Sequence, residues 1–158
     1  MSDQSKSIHQ FKVKLINGAE KNLSAYKNKV LLIVNIASAC GFAPQLKDLQ
    51  ELREQFGTEH FEVLAFPSND FGRQEPLEGA AIGNFCEANY GVHFPVFEKI
   101  MVRGEQAHPL FKFLTQTATP RWNFHKYLVN KEGEVVDYFF PFTKPLSSKV
   151  KKKIQRLL

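Results

Sequence analysis

Val30-Leu31-Leu32-Ile33-Val34-Asn35-Ile36 is a nearly continuous apolar run, and such a run predicts a β-strand that is covered on both faces. The next segment, residues 44–56, carries leucines at helical spacing and ends at Gly57, so it predicts an α-helix. A second buried strand is predicted over Phe61–Phe66, where Pro67 stops it. The order strand, helix, strand predicts a right-handed crossover between two parallel strands.

The flanking segments complete the predicted fold. Residues 9–16 alternate in polarity and meet Asn17-Gly18, so they predict a hairpin that returns through 21–23. A helix is predicted at 78–90, a second hairpin is predicted over 122–136 with its turn at 131–133, and a last helix follows Pro145. This is an α/β, thioredoxin-like arrangement: a central mixed β-sheet flanked by helices, with an extra N-terminal β-hairpin.

Length and composition favour an ordinary globular protein. The 158 residues predict one domain, 1–158, and 43% hydrophobic with 23% charged residues is typical of soluble chains. No stretch approaches the roughly 20 apolar residues of a membrane helix, and the polar start of the chain resembles no secretion signal. We therefore expect a cytoplasmic protein without an integral membrane segment.

The net charge of +5 is spread along the chain except for a basic cluster within 149–156. Val150, Ile154 and Leu157 interrupt that cluster at helical spacing, which predicts the solvated face of an amphipathic helix, with an acidic partner as the alternative. The fifteen Phe residues are scattered through apolar runs and form no basic and aromatic stacking surface. No nucleic-acid partner is expected.

Two cysteines, Cys40 and Cys86, are the whole thiol inventory. In a reducing compartment such a pair is more often a redox couple than a structural staple, if the sulfurs can meet. The histidines show no metal-binding spacing with them, so we expect no metal and no cofactor.

Cys40 lies in a turn of small residues between the first buried strand and the first helix. Unpaired backbone amides at a helix N-terminus make a positive field that favours thiolate. Local context leaves two interpretations open: a reactive thiol, or a small apolar core residue. The fold favours the first, because Cys40, the 67–76 loop and the Trp122 region all lie at the carboxyl edge of the sheet.

Four segments, in order, resemble the glutathione peroxidase family: 35–42 around Cys40, 66–76 from Phe66-Pro67-Ser68 to Gln74-Glu75-Pro76, 85–95 around Cys86, and Trp122-Asn123-Phe124. By that resemblance Cys40 is the peroxidatic residue, whose thiolate attacks a hydroperoxide and becomes sulfenic acid. Trp122 and Asn123 correspond to the hydrogen-bond donors that stabilise charge on the sulfur and the leaving oxygen.

Cys86 resembles the resolving cysteine of the cysteine-only, thioredoxin-dependent branch of the family. The resemblance implies that the helix around Cys86 unfolds locally, and its glycines suit this. The alternative is a buried helix cysteine beside Phe85. The short interval between Pro109 and Trp122 resembles that of monomeric relatives that accept bulky lipid hydroperoxides, so we expect a monomer. The resemblance of Cys86 to the thioredoxin-dependent branch implies thioredoxin or a similar dithiol as the reductant, rather than glutathione.

Asp70 departs from the family, which has glutamine at this position of its catalytic tetrad. An ionised carboxylate about 5 Å from a thiolate opposes it by roughly 3 kcal/mol at an effective dielectric near 20. A helix N-terminus supplies only about 0.3–2 kcal/mol. Three arrangements stay open: a protonated Asp70 that shares a charge with Cys40, which is our preferred hypothesis; an Asp70 paired with a basic residue; or an Asp70 that points away and leaves Gln74 to approach. Asp70 as a plain turn residue is a fourth interpretation.

The sequence thus predicts an oxidoreductase: a thiol peroxidase of hydrogen peroxide and organic or lipid hydroperoxides, recycled through a redox-active disulfide in the defence against oxidative stress. The same cysteines would serve a peroxide sensor or redox relay that passes oxidation to a partner protein. A thioredoxin-fold binding module silenced by Asp70 is the third possibility.

Overall fold

Six strands and four α-helices make up the computed structural model, which describes residues 6–158. In chain order the strands are Lys12–Lys14 (β1), Glu20–Asn22 (β2), Val30–Ile36 (β3), Phe61–Pro67 (β4), Lys126–Val129 (β5) and Val135–Phe139 (β6). The helices are Gln45–Phe56 (α1), Ala80–Tyr90 (α2), Pro109–Leu114 (α3) and Ser148–Leu157 (α4). Two 3-10 turns, Ile8–Gln10 and Leu23–Tyr26, flank the first hairpin.

The central sheet has the strand order β4-β3-β5-β6. β3 and β4 are parallel, with Val30 opposite Phe61 and Ile36 opposite Pro67, and α1 connects them as predicted. β5 runs antiparallel to β3, and β6 runs antiparallel to β5, so the sheet is mixed. The predicted thioredoxin-like arrangement is therefore confirmed, with β1 and β2 as the separate N-terminal hairpin.

Every residue of β3 is buried because both faces of the sheet are covered. Successive side chains of a strand point to opposite faces. Leu32 and Val34 pack in the cluster that contains the apolar residues of α1, α2 and α4. Leu31 and Ile33 pack in the cluster that contains Ile8 and α3.

The first hairpin and the last helix confirm two further predictions. Gly18 has φ +86° in the turn between β1 and β2, although the return strand ends at Asn22 and Leu23 already begins a 3-10 turn. In α4, Val150 and Ile154 are fully buried, and the lysines between them face outward or are half-buried. No helix within residues 6–158 has the length and apolar character needed to cross a membrane.

Several boundaries differ from the prediction, and β4 includes Pro67, which was expected to stop it. The strand expected from Trp122 begins only at Lys126, because Phe124 has φ +70° and its backbone amide donates to Asn35 O at 2.6 Å. The return strand is Val135–Phe139, later than expected, and α2 begins at Ala80 instead of residue 78. The short helix α3 was not predicted; Pro109 occupies its first turn, and the His108 side chain accepts from the Leu110 amide.

Candidate active site

Cys40 lies in the turn that follows β3, and its residue is only 6% exposed. The backbone amide of Phe42 donates to the Cys40 sulfur at 3.3 Å. The helix α1 begins at Gln45, one residue after its predicted start, and Cys40 lies in the turn before it. The direct electrostatic partner of the sulfur is therefore a turn amide.

A cavity of about 340 Å³ opens at this turn and is lined by Cys40, Gly41, Phe42, Gln74 and Trp122. Within residues 6–158 no acceptor binds the indole N–H of Trp122. The cavity therefore brings a thiol together with an indole donor and a side-chain amide, as hydroperoxide chemistry requires.

The loop that carries Trp122 is fastened to the end of β3. The side-chain amide of Asn35, inside β3, donates to Trp122 O at 3.0 Å, and the amide of Phe124 donates to Asn35 O at 2.6 Å. Lys126 is fully buried, and its ammonium donates to Phe124 O at 2.7 Å and Pro141 O at 3.0 Å. Burial lowers the pKa of Lys126 to about 7.

Gly72 allows the 67–76 loop to pack directly on Trp122. A Cβ atom at Gly72 would lie 3.0 Å from Cη2 of Trp122, and the residue has φ +66°. The ring centroids of Phe71 and Trp122 lie 5.6 Å apart. The 67–76 loop therefore packs against the indole ring of Trp122.

Asn123 is fully buried behind the cavity and does not line it. Its side-chain amide donates to Gln74 Oε1 at 3.0 Å and to Phe71 O at 3.4 Å. The structure thus brings Cys40, Trp122 and Asn123 to one region, with Gln74 as the contact between Asn123 and the cavity.

Asp70 is held away from the cavity. Its Oδ2 accepts from the backbone amides of Val102 at 2.7 Å and Arg103 at 3.3 Å, and the Arg103 guanidinium donates to Asp70 O at 2.7 Å. Within residues 6–158 no hydrogen bond joins Asp70 to Cys40, and no basic side chain forms an ion pair with its carboxylate. These contacts favour the third arrangement, in which Asp70 points away and Gln74 approaches, over our preferred shared-charge pair.

Cys86 lies in α2 and is 1% exposed. Burial, and then the nearby charge of Glu75, raises the pKa of the Cys86 thiol to about 12. Cys40 and Cys86 are both free thiols that belong to the same apolar cluster. The folded protein therefore keeps Cys86 protonated and shielded.

Glu75 is a buried carboxylate that the sequence analysis did not single out. It accepts from the Ser38 amide at 3.2 Å and from the Ser38 hydroxyl, two residues before Cys40. Burial raises the pKa of Glu75, and the bonds from Ser38 oppose that shift. The Ala39 amide also donates to Gln74 O at 2.8 Å. In the sequence, the one signal for Glu75 is its place between Gln74 and Pro76, within the 66–76 segment that carries the family resemblance.

His125 is also fully buried, between Tyr127 and Tyr138. Neither ring nitrogen has a hydrogen-bond partner within the described chain. Burial, helped by the charges of Lys126 and Arg121, lowers the pKa of His125 to about 4. In the same residues, 6–158, no group of three or more His, Cys, Asp or Glu side chains could hold a metal ion.

Comparison with known proteins gives consistent matches. A family model described as Glutathione peroxidase matches residues 8–115. Glutathione peroxidase homolog BsaA of Halalkalibacterium halodurans is 51% identical over 158 residues, covering 96% of this chain and 99% of that protein. Hydroperoxy fatty acid reductase gpx1 of Synechocystis is 45% identical and covers 96% of each chain. The crystal structure of Trgpx in apo form superposes with a TM-score of 0.76 at 35% identity, over 96% of this chain and 94% of that one.

Proposed function

Because the chain belongs to the glutathione peroxidase family, we propose that it is a thiol peroxidase that uses Cys40 and Cys86 and is recycled by thioredoxin. The observation that carries the proposal is the cavity in which Cys40 meets Trp122 and Gln74. Peroxide reduction needs a thiolate, room for the peroxide and donors for the departing oxygen. This cavity supplies the cysteine, the space and two side-chain donors, Trp122 and Gln74.

In the first step the Cys40 thiolate attacks the terminal oxygen of a hydroperoxide. A sulfur–oxygen bond forms while the peroxide O–O bond breaks, and the departing oxygen takes a proton and leaves as alcohol or water. Cys40 becomes sulfenic acid. The Phe42 amide at 3.3 Å stabilises negative charge on the sulfur, and the Trp122 indole is available to the departing oxygen.

In the second step the Cys86 thiolate attacks the sulfur of the Cys40 sulfenic acid. A disulfide forms, the sulfur–oxygen bond breaks, and hydroxide takes a proton and leaves as water. A dithiol then returns two electrons and two protons. Cys86 must first be exposed and deprotonated, because burial raises its pKa to about 12.

The helix α2 is suited to open locally. Gly79 precedes its first turn without a side-chain cap, and Gly91 ends it in the left-handed conformation. Gly83 lies inside the helix, and only Ile82 and Cys86 of its residues are buried. The small number of buried residues and the missing side-chain cap at the N-terminus keep the cost of local unfolding small.

The open cavity also suits organic substrates larger than hydrogen peroxide. One relative is named a hydroperoxy fatty acid reductase, and we propose that this chain accepts fatty acid hydroperoxides as well. We further propose that it works as a monomer, because the interval between Pro109 and Trp122 holds only the short helix α3.

The test is steady turnover of NADPH in the presence of thioredoxin and its reductase, with hydrogen peroxide or a fatty acid hydroperoxide. We expect turnover by the parent protein, none by Cys40→Ser, and much slower turnover when glutathione and its reductase replace thioredoxin. Turnover that survives in Cys40→Ser would contradict the proposal. Turnover with glutathione that is as fast as turnover with thioredoxin would contradict the thioredoxin part of it.

A further inference from the structure

We propose that the side-chain amide of Gln74 is a catalytic hydrogen-bond donor of this site, in place of the residue at position 70. Its nitrogen donates to the departing oxygen of a hydroperoxide that enters the cavity lined by both Cys40 and Gln74. The proposal rests on the peroxidase function proposed above. It assigns a role to a residue that lies four positions beyond the glutamine of the relatives.

The first support is the way the Gln74 amide is oriented. Its oxygen accepts from Asn123 at 3.0 Å, which fixes the plane of the amide and turns its nitrogen to the other side. Asn123 is fully buried, so the group that orients Gln74 is itself immobilised. No acceptor within residues 6–158 binds the Gln74 nitrogen, which leaves two N–H groups for a ligand in the cavity.

The second support is the position of the Gln74 backbone. Gln74 O accepts from the Ala39 amide at 2.8 Å, immediately before Cys40, and the Glu75 carboxylate accepts from the amide and the hydroxyl of Ser38. The residues before Gln74 make this approach through two left-handed conformations, at Gly72 with φ +66° and at Arg73 with φ +52°. These bonds therefore hold the backbone of Gln74 against the turn that contains Cys40.

The third support is that Asp70 is committed elsewhere. Its carboxylate accepts from the amides of Val102 and Arg103, and the Arg103 guanidinium lies 4.3 Å from the centre of the Phe71 ring. Phe71 in turn packs against Trp122. Asp70 is thus a positioning residue. Its bonds to the 102–103 segment hold Arg103 beside Phe71, and Phe71 packs against the Trp122 indole.

A neutral amide suits this reaction better than a carboxylate. It donates to the departing oxygen without adding a negative charge beside the Cys40 sulfur. Replacing it with alanine removes a hydrogen bond to a charged group, which we expect to slow peroxide oxidation of Cys40 by about 10- to 100-fold.

The experiment measures the second-order rate of Cys40 oxidation by hydrogen peroxide in a single turnover. Trp122 is the one tryptophan of the chain and lines the cavity, so its fluorescence reports the reaction. The variants are Gln74→Ala, Gln74→Glu and, as a matched control, Gln116→Ala at an exposed residue outside the cavity. Thermal unfolding of each variant identifies any loss of fold.

We expect Gln74→Ala to be slower by the stated factor and Gln116→Ala to match the parent protein. Gln74→Glu keeps the shape of the side chain, so we expect its rate relative to that of the parent protein to be highest at low pH, where the new carboxyl is protonated and can donate. This ratio should fall as pH rises and the new carboxyl loses its proton.

Two results would overturn the proposal: a folded Gln74→Ala within threefold of the parent protein, or a Gln74→Glu with the same pH profile as the parent. A parent protein whose Cys40 reacts no faster than free cysteine would overturn the peroxidase function itself. The oxidation rate of the parent protein therefore distinguishes a failure of the Gln74 proposal from a failure of the proposed peroxidase function.

Discussion

The carboxylate of Asp70 accepts a hydrogen bond of 2.7 Å from the backbone amide of Val102. This contact joins the 67–76 loop to the segment before α3, and a second bond from the Arg103 amide strengthens it. The negative charge at position 70 is consequently directed to two amide donors.

Asp70→Gln should therefore bring no gain in activity. We expect its rate of Cys40 oxidation by hydrogen peroxide to be no higher than that of the parent protein at any pH between 6 and 9. The bonds to Val102 and Arg103 would weaken, and the free energy of unfolding should fall by about 1–3 kcal/mol. Single-turnover oxidation and denaturant unfolding measure the two effects. A Gln variant that is many-fold faster near pH 7 would show that the carboxylate suppresses the thiolate.

Gly72→Ala should disturb the site through Trp122. The new methyl group would lie 3.0 Å from the indole, and alanine at positive φ costs about 1–2 kcal/mol. Gly18→Ala is the matched control, because Gly18 also has positive φ but a Cβ atom there meets no other atom within 4 Å. We expect both variants to lose stability, and Gly72→Ala alone to change the Trp122 fluorescence and to oxidise more slowly, by about tenfold or more.

Equal rates of peroxide oxidation for Gly72→Ala and Gly18→Ala would contradict the account of the loop. They would mean that the close approach of Gly72 to the indole has no part in shaping the cavity.

His125 should make stability depend on pH. Its pKa in the folded protein is lowered from 6.5 to about 4, so between these values the unfolded chain binds the proton more strongly. The stability contributed by neutral His125 is fully present above pH 6.5 and is lost as pH falls to 4, by up to about 3 kcal/mol.

His125→Phe should remove that part of the acid sensitivity. The ring packs between Tyr127 and Tyr138, and neither of its nitrogens has a partner within residues 6–158, so phenylalanine keeps the contacts. Denaturant unfolding at pH 7 and pH 4 measures the difference. An unchanged pH dependence in His125→Phe would show that the ring is accessible to protons in the folded state.

The parts of the fold that depend on local pattern were predictable. β3 and β4 are long apolar runs, and α1 combines leucines at helical spacing with a terminal glycine. The helix α3 has only six residues, too few for a periodic pattern to be recognised. The strand predicted to begin at Trp122 begins later in the structure. The reason is that the Phe124 amide bonds to Asn35 O, a residue remote in sequence, and Phe124 is held in a left-handed conformation.

The candidate site likewise has a part that the local sequence predicts and a part that depends on residues remote in sequence. The position of Cys40 followed from a strand that ends in a turn of small residues. The separation of Asp70 from Gln74 depends on Val102, Arg103 and Asn123, which are remote in sequence. The buried contact of Glu75 with Ser38 has no local pattern that would reveal it.

The most direct test of the central claim is the product of one equivalent of hydrogen peroxide added to the reduced protein, identified by intact mass and peptide mapping. We predict a loss of about 2 Da and a peptide in which Cys40 is linked to Cys86. Cys86→Ser should instead retain an oxygen on Cys40. A stable sulfenic or sulfinic acid on Cys40 of the parent protein, with Cys86 still a free thiol, would contradict the account.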